Sequence, residues 1–290
     1  MKKILLILFS VVLLFGCIGG PSPGSNITQQ INQTITTVTQ ECTPSLSVTP
    51  PNSAKLSSSA TIVVNATCAF NKTVAVTING AEIASAVVPE GDSTLLNFNL
   101  IAAPDGSNSL AVNLDNNPVY TGKWDVSPIG YSNTAGSDND QISVGRWKAV
   151  AFEVSNPITV KKVSAYLMRL QSLIVGSNVI VDIRSDSNGK PGDIVATTSL
   201  PINKTTLTPN WVHFPITAQL QKGRYWVVFR EDGLDEVNIR YVTVDKLKPG
   251  NPNHMMMDLT KNEDTSVWSE TQWTPLAYDR DYSFVISARD

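Results

Sequence analysis

Apolar and polar positions fall into three regimes along the chain. Residues 4–15 are apolar throughout except Ser10, and they follow the positive start Met1-Lys2-Lys3. A run of about a dozen residues is too short to cross ~30 Å of hydrocarbon as a helix; it has the length of the apolar segment of an export signal. Residues 18–41 then place isolated Ile and Val among Thr, Gln and Asn with no sustained period. So little apolar surface cannot offset the entropy of ordering, and this stretch is predicted to be a flexible tether. From residue 42 onward, short alternating runs bounded by turn residues replace both patterns.

Residues 42–125 read as about seven short strands. The runs are 45–49, 60–70, 73–78, 81–88, 95–101 and 110–114, with Ile62, Val64, Ala66 and Cys68 on one face of the second. Asn79-Gly80 between two of them supplies the positive φ values of a type I′ hairpin turn. Strands this short and this closely spaced predict an immunoglobulin-like sandwich. No tryptophan is expected in its core, which argues against an antibody-type domain.

Residues 126–290 form a longer module. Its predicted strands are 148–154, 159–168, 178–184, 194–200, 211–216, 224–230, 238–244 and 283–287. Alternation is clear in Val179/Val181/Ile183 against Ile180/Asp182/Arg184, and Trp226 beside Tyr225 must put one ring on each face of its strand. Eight strands separated by turns such as Ser187-Asn188-Gly189 suit a jelly roll or a related sandwich. No helix longer than a turn or two is predicted, and the expected fold is all-β: an immunoglobulin-like sandwich followed by a jelly-roll sandwich.

Composition and charge narrow the function classes. The 290 residues are 42% hydrophobic and 16% charged, with a formal net charge of -3. No basic patch with interleaved aromatics occurs, so nucleic acid is not an expected partner. Three cysteines are present. Cys17 directly follows the apolar run and Gly16. The remaining pair, Cys42 and Cys68, is even in number and lies in an exported chain, so a disulfide is expected. Two lone cysteines without neighbouring His or a C-x-x-C spacing do not make a zinc site, and no metal or cofactor is expected.

Leu14-Phe15-Gly16-Cys17 resembles the lipobox of prokaryotic lipoproteins, and Cys17-Ile18-Gly19-Gly20 resembles the processing site of archaeal surface lipoproteins. Phe15 stands where the lipobox usually has a small residue. The resemblance implies that residues 1–17 are a lipoprotein signal, that Cys17 is lipidated, and that the chain is held on the outer face of the cell membrane. The alternatives are an ordinary secretory signal with an incidental Cys17, or an uncleaved N-terminal anchor. Two or more acyl chains make attachment stable, at about 0.8 kcal/mol per buried CH₂.

A second resemblance runs through the longer module. Ala151-Phe152-Glu153-Val154, Ile158 through Val163, and Val181-Asp182-Ile183-Arg184 with Asn188-Gly189-Lys190-Pro191-Gly192 begin it. Trp211-Val212-His213-Phe214, Leu220 through Val228, Trp273 and Tyr282-Ser283-Phe284 complete it. In this order they resemble the choice-of-anchor type R domain, a jelly-roll surface module, over most of residues 145–290. The resemblance implies location and architecture rather than chemistry.

Candidate chemistry is sparse. The chain has two histidines, His213 in a predicted strand and His254 in an Asn/Pro-rich loop, with no G-x-S-x-G and no H-E-x-x-H. No catalytic constellation is read, and the chain is not expected to be an enzyme. Five N-x-T sequons occur, at Asn26, Asn32, Asn65, Asn71 and Asn203. They are glycosylation candidates, weighed against ordinary surface asparagines in a chain rich in Asn and Thr. Ser137-Asp138-Asn139-Asp140 and Asp186-Ser187-Asn188-Gly189 offer oxygen ligands, but plain turn chemistry accounts for both. Among the tryptophans, core packing is the default, and Trp268 and Tyr278, flanked by polar loop residues, are the candidates for an exposed sugar-binding platform. The expected function is a lipid-anchored surface protein that binds or adheres, with polysaccharide or an envelope component as partner. The alternatives are a structural envelope spacer and, from another class, a glycan-active enzyme.

Overall fold

The computed structural model describes residues 42–91, 93–101, 103–132, 138–143, 146–170, 176–233, 237–242, 256–260, 274–275 and 281–290. Cys17, Asn26, Asn32, His254, Trp268 and Tyr278 lie outside the described residues. The described regular structure is strand throughout, apart from one 3₁₀ turn at Ile202–Lys204. The protein is all-β.

The first eight strands are β1 (Ser45–Thr49), β2 (Ala54–Lys55), β3 (Ala60–Thr67), β4 (Thr73–Ile78), β5 (Ala81–Val87), β6 (Ser93–Leu100), β7 (Gly106–Leu114) and β8 (Asn117–Ser127). They form a three-stranded sheet, β1-β3-β6, and a five-stranded sheet, β2-β8-β7-β4-β5. The opening segment is split between the sheets: β1 pairs antiparallel with β3, and β2 pairs parallel with β8. This is an immunoglobulin-like sandwich. Its core comes from the apolar phase of each strand, including Ile62 and Val64 of β3, Val74 and Val76 of β4, and Leu110 and Val112 of β7. Asn79 and Gly80 take φ 51° and 82°, as a type I′ turn requires. A second such turn, Asp115-Asn116 at φ 48° and 67°, starts β8, a strand the alternation pattern did not resolve.

The structure departs from the sequence expectation at two residues of this sandwich. Trp124 does sit in this core, only 2% exposed, on the last strand, with its indole N–H donating to the Asn52 carbonyl at 3.0 Å. Cys68 does not continue the face of Ile62, Val64 and Ala66, because β3 stops at Thr67 and Cys68 turns to φ 53°. From that turn it forms the disulfide with Cys42, Cα–Cα 5.7 Å, which ties the chain entering β1 to the end of β3.

The second sandwich contains β9 (Ile129–Tyr131), β10 (Asp138–Ile142), β11 (Arg146–Val154), β12 (Ile158–Arg169), β13 (Asn178–Asp186), β14 (Pro191–Pro201) and β15 (Asn210–Leu220). It continues with β16 (Gly223–Glu231), β17 (Val237–Val242), β18 (Met256–Thr260), β19 (Thr274–Pro275), β20 (Asp281–Tyr282) and β21 (Phe284–Ser287). One sheet runs β10-β17-β12-β21-β9, with β15 also on β12 and β20 also on β17; the other runs β14-β13-β16-β11-β18-β19. From β11 to β18 the chain changes sheet at every connection except the β13–β14 hairpin. That back-and-forth wiring is the jelly-roll type of sandwich. Val150, Phe152, Val163, Leu167, Ile183, Phe214, Phe229 and Ile239 fill the space between the sheets. Tyr225 and Trp226 do point to opposite faces: Tyr225 packs on Phe152 in this core at 5.9 Å, and Trp226 joins a separate cluster on the outside.

The two sandwiches share one connected apolar core, and hydrogen bonds close the seam between them. Buried Asp105 accepts from Ser287 Oγ (2.9 and 3.0 Å) and from the Ala288 amide (2.7 Å). The Arg289 guanidinium donates to Ser107 O (3.1 Å) and to Asn108 Oδ1 (3.0 Å). On another side, Ser57, held at φ 71°, accepts from the Ser155 amide (3.1 Å) and, through its carbonyl, from Asn156 Nδ2 (2.7 Å). The last residues of the described chain thus clip the second sandwich to the β6–β7 loop of the first.

Two outcomes are expected. Asp105→Ala strands two donors in a buried seam and should lower the unfolding free energy by about 2 kcal/mol in urea titrations; an unchanged midpoint would show that the clip carries no stability. The Cys42–Cys68 bridge closes 26 residues, so reduction should cost about 3 kcal/mol. Peptide mapping without reductant should recover the crosslinked pair.

Candidate functional site

β12 and β15 pair in register as Lys162 opposite Pro215, Ser164 opposite His213, and Tyr166 opposite Trp211. The intervening residues Val163, Ala165, Val212 and Phe214 are buried between the sheets, so the first set points outward. Two half-buried aromatic rings therefore meet on the outer face of the sheet: Tyr166 and Trp211, centroids 5.5 Å apart and tilted by 46°. Next to them the exposed His213 is held by Ser164 Oγ at 2.8 Å from Nδ1, leaving Nε2 as the nitrogen open to a ligand. The platform ends in a polar turn, where Thr206 Oγ1 donates to Asn210 Oδ1 (2.9 Å), and in two exposed leucines, Leu170 and Leu207.

Ser164 and His213 have the atoms of a nucleophile–base pair, but Ser164 is only 1% exposed. Among the described residues no carboxylate hydrogen-bonds His213. The geometry suits a hydroxyl that orients an imidazole.

The outer face of the six-stranded sheet is different in kind. Ala149, Ala151, Trp226 and Val228 form an apolar cluster there, with half-buried Trp147 against it. The expected alternation holds on β13, yet its polar phase is not solvated: Asp182 is 0% and Arg184 2% exposed. Asp182 accepts from Arg184 Nη2 (2.9 Å), Arg230 Nε (2.9 Å) and Thr197 Oγ1 (2.6 Å). The two guanidinium groups lie 5.7 and 5.3 Å from the Trp147 ring centre, within cation–π range. Burial pushes the Asp182 carboxyl up, but the bonds from Arg230, Thr197 and Arg184 outweigh it and hold it below the ordinary carboxylate range. Trp226 donates its indole N–H to Asp186 Oδ1 at 2.8 Å. These polar groups are paired with one another, so this face acts as a second core rather than a ligand surface.

The remaining sequence candidates sort by burial. Asn71 is exposed in a turn at φ 60°, and Asn203 is exposed in the 3₁₀ turn. Asn65 is half-buried on β3 and its Oδ1 accepts from Ser93 Oγ at 2.7 Å. Asn71 and Asn203 therefore offer the more accessible amides. Both Asp186 oxygens are taken, one by Trp226 and one by the Gly189 amide (3.0 Å), which makes the 186–189 segment a turn with its acceptors filled. Asp140 lies on β10 rather than in a loop and accepts from the Tyr282 hydroxyl. Among the described residues no group of three or more His, Cys, Asp or Glu is arranged to hold a metal. A cleft of about 370 Å³ opens at the seam between Leu56, Pro104, Pro157, Thr159 and Gln221, with no charged side chain in its lining. The Tyr166–Trp211 pair was missed by sequence reasoning. Its signal was present, since both rings occupy the polar phase of strongly alternating strands.

Comparison with known proteins adds little. No family model matches the chain. No curated protein matches it. A solved structure described as belonging to the carbohydrate-binding modules from the beta-sandwich superfamily is similar at 10% identity, over 67% of this chain and 96% of that one, with a TM-score of 0.19. A superposition that poor carries no argument about ligand or function.

Removing Asp182 leaves two guanidinium groups against an uncompensated site, so Asp182→Asn should cost about 3–5 kcal/mol. Because the folded-state value is depressed, this carboxylate stabilises the protein above its unfolded value near 4 and stops doing so as pH falls through the folded value. Thermal melts between pH 6 and pH 2 should show the wild type losing stability on acidification, with a shallower slope in the Asn variant.

Proposed function

We propose that the protein is a lipid-anchored cell-surface binding protein, with Cys17 as the anchor and the Tyr166–Trp211 face as the ligand platform. The observation that carries this reading is a pair of half-exposed rings on the outer face of a rigid sheet, flanked by an oriented imidazole. Flat rings of this kind stack on the apolar faces of sugars, and polysaccharide is the partner class the reading adopts. The lipobox resemblance supports attachment at the outer membrane face. The choice-of-anchor resemblance of the second module supports the same location.

The geometry suits presentation. The Cys42–Cys68 bridge lies at the end of β3 away from the seam, since Ala60 opens that strand close to Ser57 and Thr67 closes it. β12 leaves the seam at Ile158, and Tyr166 lies about 25 Å further on at ~3.3 Å per residue. The Cys42–Cys68 bridge and the Tyr166–Trp211 face thus lie toward opposite poles. A second reading, a structural spacer without a ligand, is favoured by the burial of Trp124 and Trp226, which leaves Trp147 and Trp211 as the partly accessible indoles among the described residues.

The test is retention of the full mature protein on a panel of insoluble polysaccharides. Saturable retention should weaken about tenfold in Trp211→Ala, the size of one lost anchoring contact of ~1.4 kcal/mol. No retention on any matrix would favour the spacer. In parallel, Cys17→Ser should move the protein from the detergent phase to the aqueous phase on Triton X-114 partition if the anchor is the lipid.

A further inference from the structure

We infer that the platform is built for an acidic polysaccharide, one whose sugar units carry carboxylates; this deepens the binding reading above and rests on it. The chain holds 25 Asp and Glu against 22 Lys and Arg. Yet β12, β15 and β21, three neighbouring strands of one sheet, contain no carboxylate at all, while β12 carries Lys161, Lys162 and Arg169 and β15 carries His213. These three strands are thus free of negative charge in an acidic protein, and the carboxylates of the same sheet lie on β10 and β20, beyond β17.

The outer face of β12 and β15 reads, from the seam outward, Lys162 with Pro215, Ser164 with His213, and Tyr166 with Trp211. Lys161 lies in the register shift between Val160 and Lys162, and both lysines are half-buried. Among the described residues neither has an ion-pair partner. Asp105 comes toward Lys162 through its bond to Ser287, the β21 residue opposite Lys162, and it is already held by Ser287 and the Ala288 amide. β14, which passes the free edge of β15, has Asp193 as its one charged residue.

The contrast with the opposite sheet sharpens the inference. Its outward arginines are occupied: Arg184 and Arg230 by Asp182, and Arg224 by Glu153 at 2.8 Å. Among the described residues of this sandwich, the β12–β15 strip pairs partly accessible rings with cations that have no ion-pair partner. Lys162 and Tyr166 are about 13 Å apart along the strand, so one extended chain can stack on Trp211 and Tyr166 and place carboxylates near His213 and the lysines.

The experiment compares polygalacturonate with its carboxyl-reduced form, a polymer of the same backbone without the charge, using the full mature protein. The inference expects tighter binding to polygalacturonate, weakening as NaCl is raised from low to high concentration. Joint Lys161→Met and Lys162→Met substitution should weaken that binding roughly tenfold and leave the neutral polymer unaffected. Trp211→Ala should weaken both polymers, and unchanged melting temperatures would show that the variants fold. Equal binding to the two polymers, lost together in Trp211→Ala, would overturn the acidic assignment and leave the platform standing. Retention of sulfated but not carboxylated polymers would overturn the carboxylate assignment in the same way. No binding to either polymer or to any other polysaccharide would remove both readings.

Discussion

β12 is the strand on which the rest of the second sandwich depends. Over its 12 residues it pairs with β15 along one edge, and with β21 and then β17 along the other. A strand with both edges satisfied has no freedom to slip, because a one-residue shift would carry Val163, Ala165 and Leu167 out of the core and drive Lys162, Ser164 and Tyr166 into it. The same period of two that seals the interior therefore fixes which side chains form the outer strip. The site needs no separate device to position it; it is the far side of the core.

The two outer faces of this sandwich show how one architecture yields opposite surfaces. On the six-stranded sheet, buried Asp182 gathers two arginines and a threonine, and the arginines lie over Trp147. Charges taken out of water in this way are tolerable only when fully paired, and the result is a closed network. On the seven-stranded sheet the aromatic pair has no such buried charges beside it, and the lysines further along β12 have no ion-pair partner among the described residues. One face pairs its polar groups with one another, while on the other the two lysines have no ion-pair partner among the described residues. The seam matters for the same reason. With Asp105 and Ser57 holding the sandwiches together, the Tyr166–Trp211 face keeps a fixed direction relative to the Cys42–Cys68 bridge.

Much of the fold was legible in the chain. Asn79-Gly80 announced its hairpin because few other pairs accept two positive φ values. The alternating runs of β13, β15 and β16 were long enough to read directly. What escaped was local or non-local in identifiable ways. The Asp115-Asn116 turn uses side chains that tolerate the left-handed region less visibly than glycine, so β8 and the buried Trp124 on it were not recognised. Asp182 and Arg184 look solvated by alternation, and only their cross-strand partners Arg230 and Thr197 reveal that they are buried. Tyr166 and Trp211 are 45 residues apart in sequence, and their proximity is a property of strand pairing that no local pattern carries.

The sequence by itself determined the class of the protein. Its apolar periods specify strands rather than helices, and the spacing of its turns specifies two sandwiches in series. These follow from short-range physics: side-chain alternation and the φ demands of turns. Tertiary structure decided which outward residues become surface and which become a second core. That distinction depends on the register between strands distant in sequence and on whether each buried charge finds a partner, and both are settled only when the sheets close.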